Sequence, residues 1–357
     1  MNGQERVNRM FARQDHDRVP RHEHFWSETI TRFQNEGLQG DTVTVLEMLG
    51  YDFGSLCWCW PQAFPGQEKV LSEDHETKVV RESNGRIARY WKHRSGTPEH
   101  LGFECDTREK WETVFKPALL KNWKQIDPQN VADNFANHRR KGLWSHLTGV
   151  ESFEETRQLI GDEVVLMAMA EDPEWVMDIS RTFTDVLLRN FELALATGVK
   201  PDGLWIYGDM AFKTATMCSP GMYRELIWPD HKRLADWAHQ RGMKFIFHTD
   251  GDVNGVIDLY IQAGFDCLQP LEAKASMDIR KLCPKYGGKL AFFGNVDVMK
   301  MATNELELIE EEVRQKLTAG KATKGYMYHS DHSVPPQVSW KTYQAIIEMV
   351  KRYGSYH

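Results

Sequence analysis

Eight short runs with strand character, alternating with helical segments, constrain this chain more than any other feature. They are "VPRHEHF" (19–25), "DFGSLCWCW" (52–60), "LWSHLTG" (143–149), "GLWIYGD" (203–209), "KFIFHTD" (244–250), "FDCLQPLE" (265–272), "KLAFFGN" (289–295) and "GYMYHSD" (325–331). The last five read as strands buried on both faces, the signature of a parallel sheet covered by helices. Stretches such as "NELELIEEEVRQKLTAG" supply the helices between them. No Gly-rich dinucleotide fingerprint accompanies the pattern, so a closed (β/α)8 TIM-type barrel is expected rather than a doubly wound sheet. A helix precedes the first strand. The segment "TKVVRESNGRIARYWK" (77–92) alternates around Ser83-Asn84-Gly85, which marks a hairpin excursion from the barrel. With no linker or internal repeat, one barrel domain over 1–357 is expected.

Bulk properties remove several functional classes. A net charge of −7 offers no basic stripe for nucleic acid and no polybasic cluster for an anionic membrane. No apolar run reaches membrane-spanning length, and the polar start "MNGQERVNRMFARQ" lacks the core of a signal peptide, so a cytoplasmic location is expected. The six cysteines are scattered without a C-x-x-C pair, which fits reduced thiols.

In a barrel, functional groups come from the C-terminal strand ends. Those ends carry His22, Glu23 and His24; Trp58 and Trp60; His146; Tyr207 and Asp209; His248, Asp250 and Asp252; Glu272; Asn295 and Asp297; and His329, Asp331 and His332. Any one of them has a plain explanation as a turn former or helix cap. Their convergence on one pole argues for a site. His248 and Asp250, two apart on an extended segment, point to the same side and suit one metal ion, with Glu272 and His332 completing a nitrogen and oxygen shell. The plain alternative is a hydrogen-bonded His–Asp network without metal. Pro335-Pro336 ends regular structure after the last strand, and Ser339 is placed to cap the final helix. Trp58 and Trp60 form either a stacking wall for a flat ligand or barrel packing.

The motifs "HTDGDV", "LQPLE", "GNVD" and "HSDHSVPPQVSWKTY", in this order, resemble the uroporphyrinogen decarboxylase superfamily of (β/α)8 barrels, most clearly from about residue 200 onward. The resemblance implies one of two chemistries: decarboxylation in the haem pathway, or methyl transfer serving corrinoid proteins. The decarboxylases carry an arginine-bearing RQAGRY segment after the first strand. Here that stretch is "HEHFWSETITRF", whose one arginine is Arg32 and which carries Glu23 and Glu28. Asp52 is the candidate match to the decarboxylase's pyrrole-binding aspartate. The methyltransferase branch carries a zinc motif of His-x-Cys and a later Cys. Laid on it, His248 takes the His place, Asp250 the first Cys place and His332 the second.

The resemblance with these exchanges implies zinc in a His248, Asp250, Glu272 and His332 shell, a harder Lewis acid suited to an oxygen ligand. The expected activity is methyl transfer from a methoxylated, aromatic substrate to a corrinoid supplied by a partner protein. Asp331 or His329 would protonate the leaving oxygen. Trp58, Trp60, Tyr207, His22, His24, Asp209 and Asn295 would bind substrate. The family also suggests a homodimer. The alternatives are a carboxy-lyase and a non-catalytic barrel that binds a tetrapyrrole or corrinoid.

Overall fold

The computed structural model describes residues 1–93 and 96–356. Seven strands form one parallel sheet: β1 (Phe53–Cys59), then, after the strands β2 (Lys69–Glu73), β3 (Thr77–Arg81), β4 (Arg86–Trp91) and β5 (Glu99–Phe103) of a second sheet, β6 (Trp144–Val150), β7 (Gly203–Tyr207), β8 (Lys244–Thr249), β9 (Cys267–Pro270), β10 (Ala291–Phe293) and β11 (Tyr326–Met327). Their spatial order follows the chain, and every neighbouring pair is parallel. The segment 20–25 is the eighth stave. It bridges β11 through Arg21 and Tyr328 and continues through Phe25 and Val334. On its other side the Asp52 amide donates to the Arg21 carbonyl at 2.9 Å. Pro20 brings no amide hydrogen to this stave, and the pairing stays at isolated bridges.

Alternation along the strands sets what the barrel holds. Phe53, Trp144, Trp205, Ile246, Cys267, Ala291, Phe293 and Met327 form one inner layer, plugged from below by Val7 and Met10 of the N-terminal helix Gly3–Phe11. Two residues further along, the same faces carry His146, Tyr207, His248, Gln269 and His329. The period of two thus stacks a polar layer on an apolar one. A second core of helix and outward-facing strand residues wraps the barrel.

The expected excursion is larger than one hairpin. Strands β2 to β5 make a four-stranded antiparallel sheet. Its central turn is the expected one, with Gly85 at φ +76°. β2 was invisible to periodicity because all five of its residues are exposed.

The pole opposite the site is tied together by charge. Asp52 is buried and accepts from Arg6 Nη1 at 2.6 Å, Arg18 Nη1 at 2.7 Å and the Arg21 amide at 2.8 Å. It precedes β1, at the strand's N-terminal end, so it is an anchor and not a ligand-binding aspartate. Asp252 and Asp297 also take the plain reading. Asp252 accepts from the Asn254 amide in a turn, and Asp297 caps the helix Val298–Ala302 through the Met299 amide. Ser339 caps the last helix as expected.

Candidate metal centre

The ionisable groups meet where β8 runs into its loop. Asp250 stands at the centre of two triads: with Asp209 and His248 on one side, and with Glu272 and His332 on the other, each triad's ligand atoms lying within 4.8 Å of one another. The four expected ligands therefore do not surround one point. Asp209, expected to bind substrate, joins the ligand groups instead. The cause is register: Tyr207 pairs with His248 across β7 and β8, which brings the residues two further along each strand side by side. The Asp250 amide donates to Asp209 Oδ1 at 3.0 Å, fixing that carboxylate.

The surroundings of each ligand are built. His248 Nδ1 donates to Gln269 Oε1, which leaves Nε2 as the free ring nitrogen, 3.9 Å from Asp209 Oδ1. Burial lowers the His248 pKa and favours its neutral, ligating form. Glu272 accepts from the Gly251 amide at 2.9 Å and pairs with Lys274 Nζ at 2.7 Å. Gly251 has φ +85°, and a Cβ there would lie 2.4 Å from the Ala211 carbonyl oxygen, so this turn requires glycine. His332 Nε2 lies 3.8 Å from Asp250 Oδ2, and its ring stacks on Trp26 with centroids 5.7 Å apart.

Asp250 decides whether a cation fits. Its Oδ1 is buried without a hydrogen-bond partner among the described residues. Burial, with Asp209 and Glu272 close by, pushes its pKa well above the usual carboxylate range. Asp250 with Asp209 and His248, or with Glu272 and His332, forms an oxygen and nitrogen donor set that suits a divalent ion, and Lys274 pairs with Glu272.

The remaining expected residues divide clearly. Tyr207 packs between Trp58 and His248, with centroids 5.0 and 4.4 Å away, so Trp58, half exposed, forms an aromatic wall beside the ligands. His22 and His24 face the barrel interior, ring against ring at 5.0 Å. Trp60 turns away from Trp58 and donates to Glu155 Oε2 at 3.1 Å, lining a cavity of about 440 Å³ against the four-stranded sheet with Val70, Tyr90 and Gln158.

Three expectations are corrected. Asn295 is fully buried, and its amide is spent on the Leu271 and Met277 carbonyls, the Ile279 amide and Lys316, so it does not bind substrate. Asp331 accepts from the Ala273 and Val298 amides, both at 2.8 Å, and clamps two loops instead of serving as a proton donor. His329 is buried with both ring nitrogens bonded, to the Ser330 carbonyl and to His24, so it holds His24 and does not reach a leaving group. Trp26 was missed, although the spacing of His22, His24 and Trp26 signalled a shared face.

Fold and site together define an α/β barrel with a ligand-rich pole at its strand ends. The family model described as uroporphyrinogen decarboxylase matches residues 155–353, more than half of the chain. The chain belongs to the uroporphyrinogen decarboxylase family. Among solved structures it is similar to a methyltransferase from Methanosarcina mazei, at 13% identity over 99% of each chain with a TM-score of 0.70, a likeness of fold. A pneumococcal exo-β-D-N-acetylglucosaminidase catalytic module (11% identity, 99% of this chain and 85% of that one, TM-score 0.43) and a chitinase from Chromobacterium violaceum (8%, 93% and 99%, 0.39) are too distant to carry an argument. No curated protein matches the chain in sequence.

Proposed function

We propose that the chain is a metal-dependent methyltransferase that takes a methyl group from a methoxylated, aromatic substrate and passes it to a corrinoid carried by a partner protein. The observation that carries this reading is the unpartnered, buried Asp250 Oδ1 at the meeting point of two nitrogen and oxygen triads. Asp209, His248 and Asp250 would hold the ion, since Glu272 is already engaged by Lys274 and the Gly251 amide. His332 and Glu272 face the same Asp250 from the other triad. Zinc held there would supply a Lewis acid for an ether oxygen.

The chain's own residues account for binding. Trp58 and Tyr207 offer ring faces to a flat substrate beside the ligands. Gln269 keeps His248 in the tautomer whose Nε2 is free. The carboxylate-rich mouth does not suit the polycarboxylate of a decarboxylase substrate. Arg157, which donates to the Asp209 carbonyl, is already paired with Glu154 and Asp162. The fold of the Methanosarcina mazei methyltransferase is compatible with this reading.

The test is metal content of the purified chain beside Asp250→Asn, followed by methyl transfer from methoxyarenes to a reduced cobalamin. About one zinc per chain, lost in the variant, with methylated cobalamin formed by the wild type, is the expected result. A wild type that takes up no metal when zinc is supplied overturns the reading.

A further inference from the structure

The barrel stave 20–25 and the loop after β11 share a row of hydrogen bonds whose direction can be deduced atom by atom. The Ser330 carbonyl can only accept, so His329 Nδ1, 2.6 Å away, carries the hydrogen and donates to it. Glu23 Oε1, 3.4 Å from the same nitrogen, asks for the same proton. His329 is fully enclosed, and burial lowers its pKa to about 3, so the ring is neutral and its Nε2 is a lone pair. The atom facing that lone pair is His24 Nδ1, at 2.9 Å. His24 must therefore donate through Nδ1. Its own pKa is held well below the usual value by burial and the imidazoles around it, so its Nε2 is also an unprotonated acceptor.

That acceptor is free. Among the described residues His24 Nε2 has no hydrogen-bond partner, and it is not one of the sealed, unpartnered atoms of the interior. It sits in the barrel mouth with His22 at 5.0 Å and Trp205 at 5.8 Å between ring centroids. Glu23 is locked in turn by Ser330, Tyr328 and the His24 amide. A buried carboxyl, a serine and two imidazoles thus fix one nitrogen as a hydrogen-bond acceptor open to the pocket.

We infer that His24 Nε2 selects a substrate with a hydrogen-bond donor, a free hydroxyl beside the methoxy group, and that His329 is the positioning residue that fixes its tautomer. This deepens the methoxyarene reading and rests on it. A fully etherified ring would leave the His24 lone pair unmet and would lose the contact.

The experiment is calorimetric binding of 2-methoxyphenol and 1,2-dimethoxybenzene to the full chain, with His24→Phe, His24→Gln and His329→Phe alongside and circular dichroism to confirm folding. The expected result is a wild type that binds the phenol about tenfold more tightly than the diether, the ratio worth one good hydrogen bond. His24→Phe should bring the two ligands level by weakening the phenol alone, and His24→Gln, which keeps an acceptor oxygen, should restore part of the preference. His329→Phe should reduce the preference without touching the pocket directly. Equal wild-type affinities, or a His24→Phe loss shared by both ligands, overturn the assignment of His24 while leaving the methoxyarene reading standing. Binding of neither ligand overturns both.

Discussion

Asp250 and His332 face each other across the barrel mouth, with Oδ2 and Nε2 3.8 Å apart, while the other oxygen of Asp250 is buried without a partner. A carboxylate in that position is costly unless a cation joins it. In a chelator, Asp250→Asn should be as stable as the wild type or more so, because the neutral amide no longer opposes Asp209 and Glu272. Zinc at about a hundred times its dissociation constant should stabilise the wild type by about 2.7 kcal/mol and leave the variant unmoved. Thermal unfolding with and without zinc reads both effects.

Glu23 should make stability depend on pH. Its carboxyl is buried, and desolvation raises its pKa from 4.5 to about 7. Ser330 Oγ lies within bonding reach of both Glu23 Oε1 and the His332 carbonyl. One hydroxyl proton can serve both only when Glu23 carries a proton of its own. Below the unfolded pKa the group is protonated in both states and its contribution is fully present. Between about 4.5 and 7 the unfolded chain releases the proton first, so stability falls as pH rises, by about 3 kcal/mol at most. Glu23→Gln should flatten this slope, which urea unfolding at pH 5, 6, 7 and 8 would measure.

The sequence exposed the barrel because alternation is local. Ile246, His248 and Asp250 point inward whatever surrounds them, and so do Trp205 and Tyr207. The grouping of ligands was not local: Asp209 joins Asp250 through the register of β7 against β8, which no spacing along one strand contains. Asn295 misled for another reason. Gly294 at φ +131° and Asn295 at φ +79° break the strand's alternation, so a residue with inward parity turns outward to meet Lys316. Asp331 sits four residues beyond the end of β11, where parity has already lapsed. Strand ends are where sequence periodicity stops and tertiary contacts take over.

Trp58 separates binding from stability. It is half exposed, and its ring rests on Tyr207 at 5.0 Å. Trp58→Ala should cost about 0.5–1 kcal/mol of stability, the scale of one aromatic pair. The same change should weaken binding of a methoxyarene about tenfold, a ratio equivalent to about 1.4 kcal/mol. Calorimetric titration against the wild type, with metal content held equal, checks this; equal affinities would remove the aromatic wall from the site.

Asp52 provides the opposite dissociation, from the other end of the barrel. Its carboxylate is buried between Arg6 and Arg18 and also receives the Arg21 amide. Arg6 keeps its pair with Asp17, but without Asp52 its buried Nη1 and the Arg21 amide lose their acceptor. Asp52→Ala should therefore cost about 1–3 kcal/mol. Glu23, His24 and their relay begin only two residues after Arg21, yet they belong to the other pole, because each residue of an extended stave advances the chain by about 3.3 Å. Zinc content and ligand affinity of the folded variant at low temperature should therefore match the wild type. A variant that folds but no longer takes up zinc would mean that the anchor at the base sets the geometry of the mouth, and the separation of the two poles would have to be abandoned.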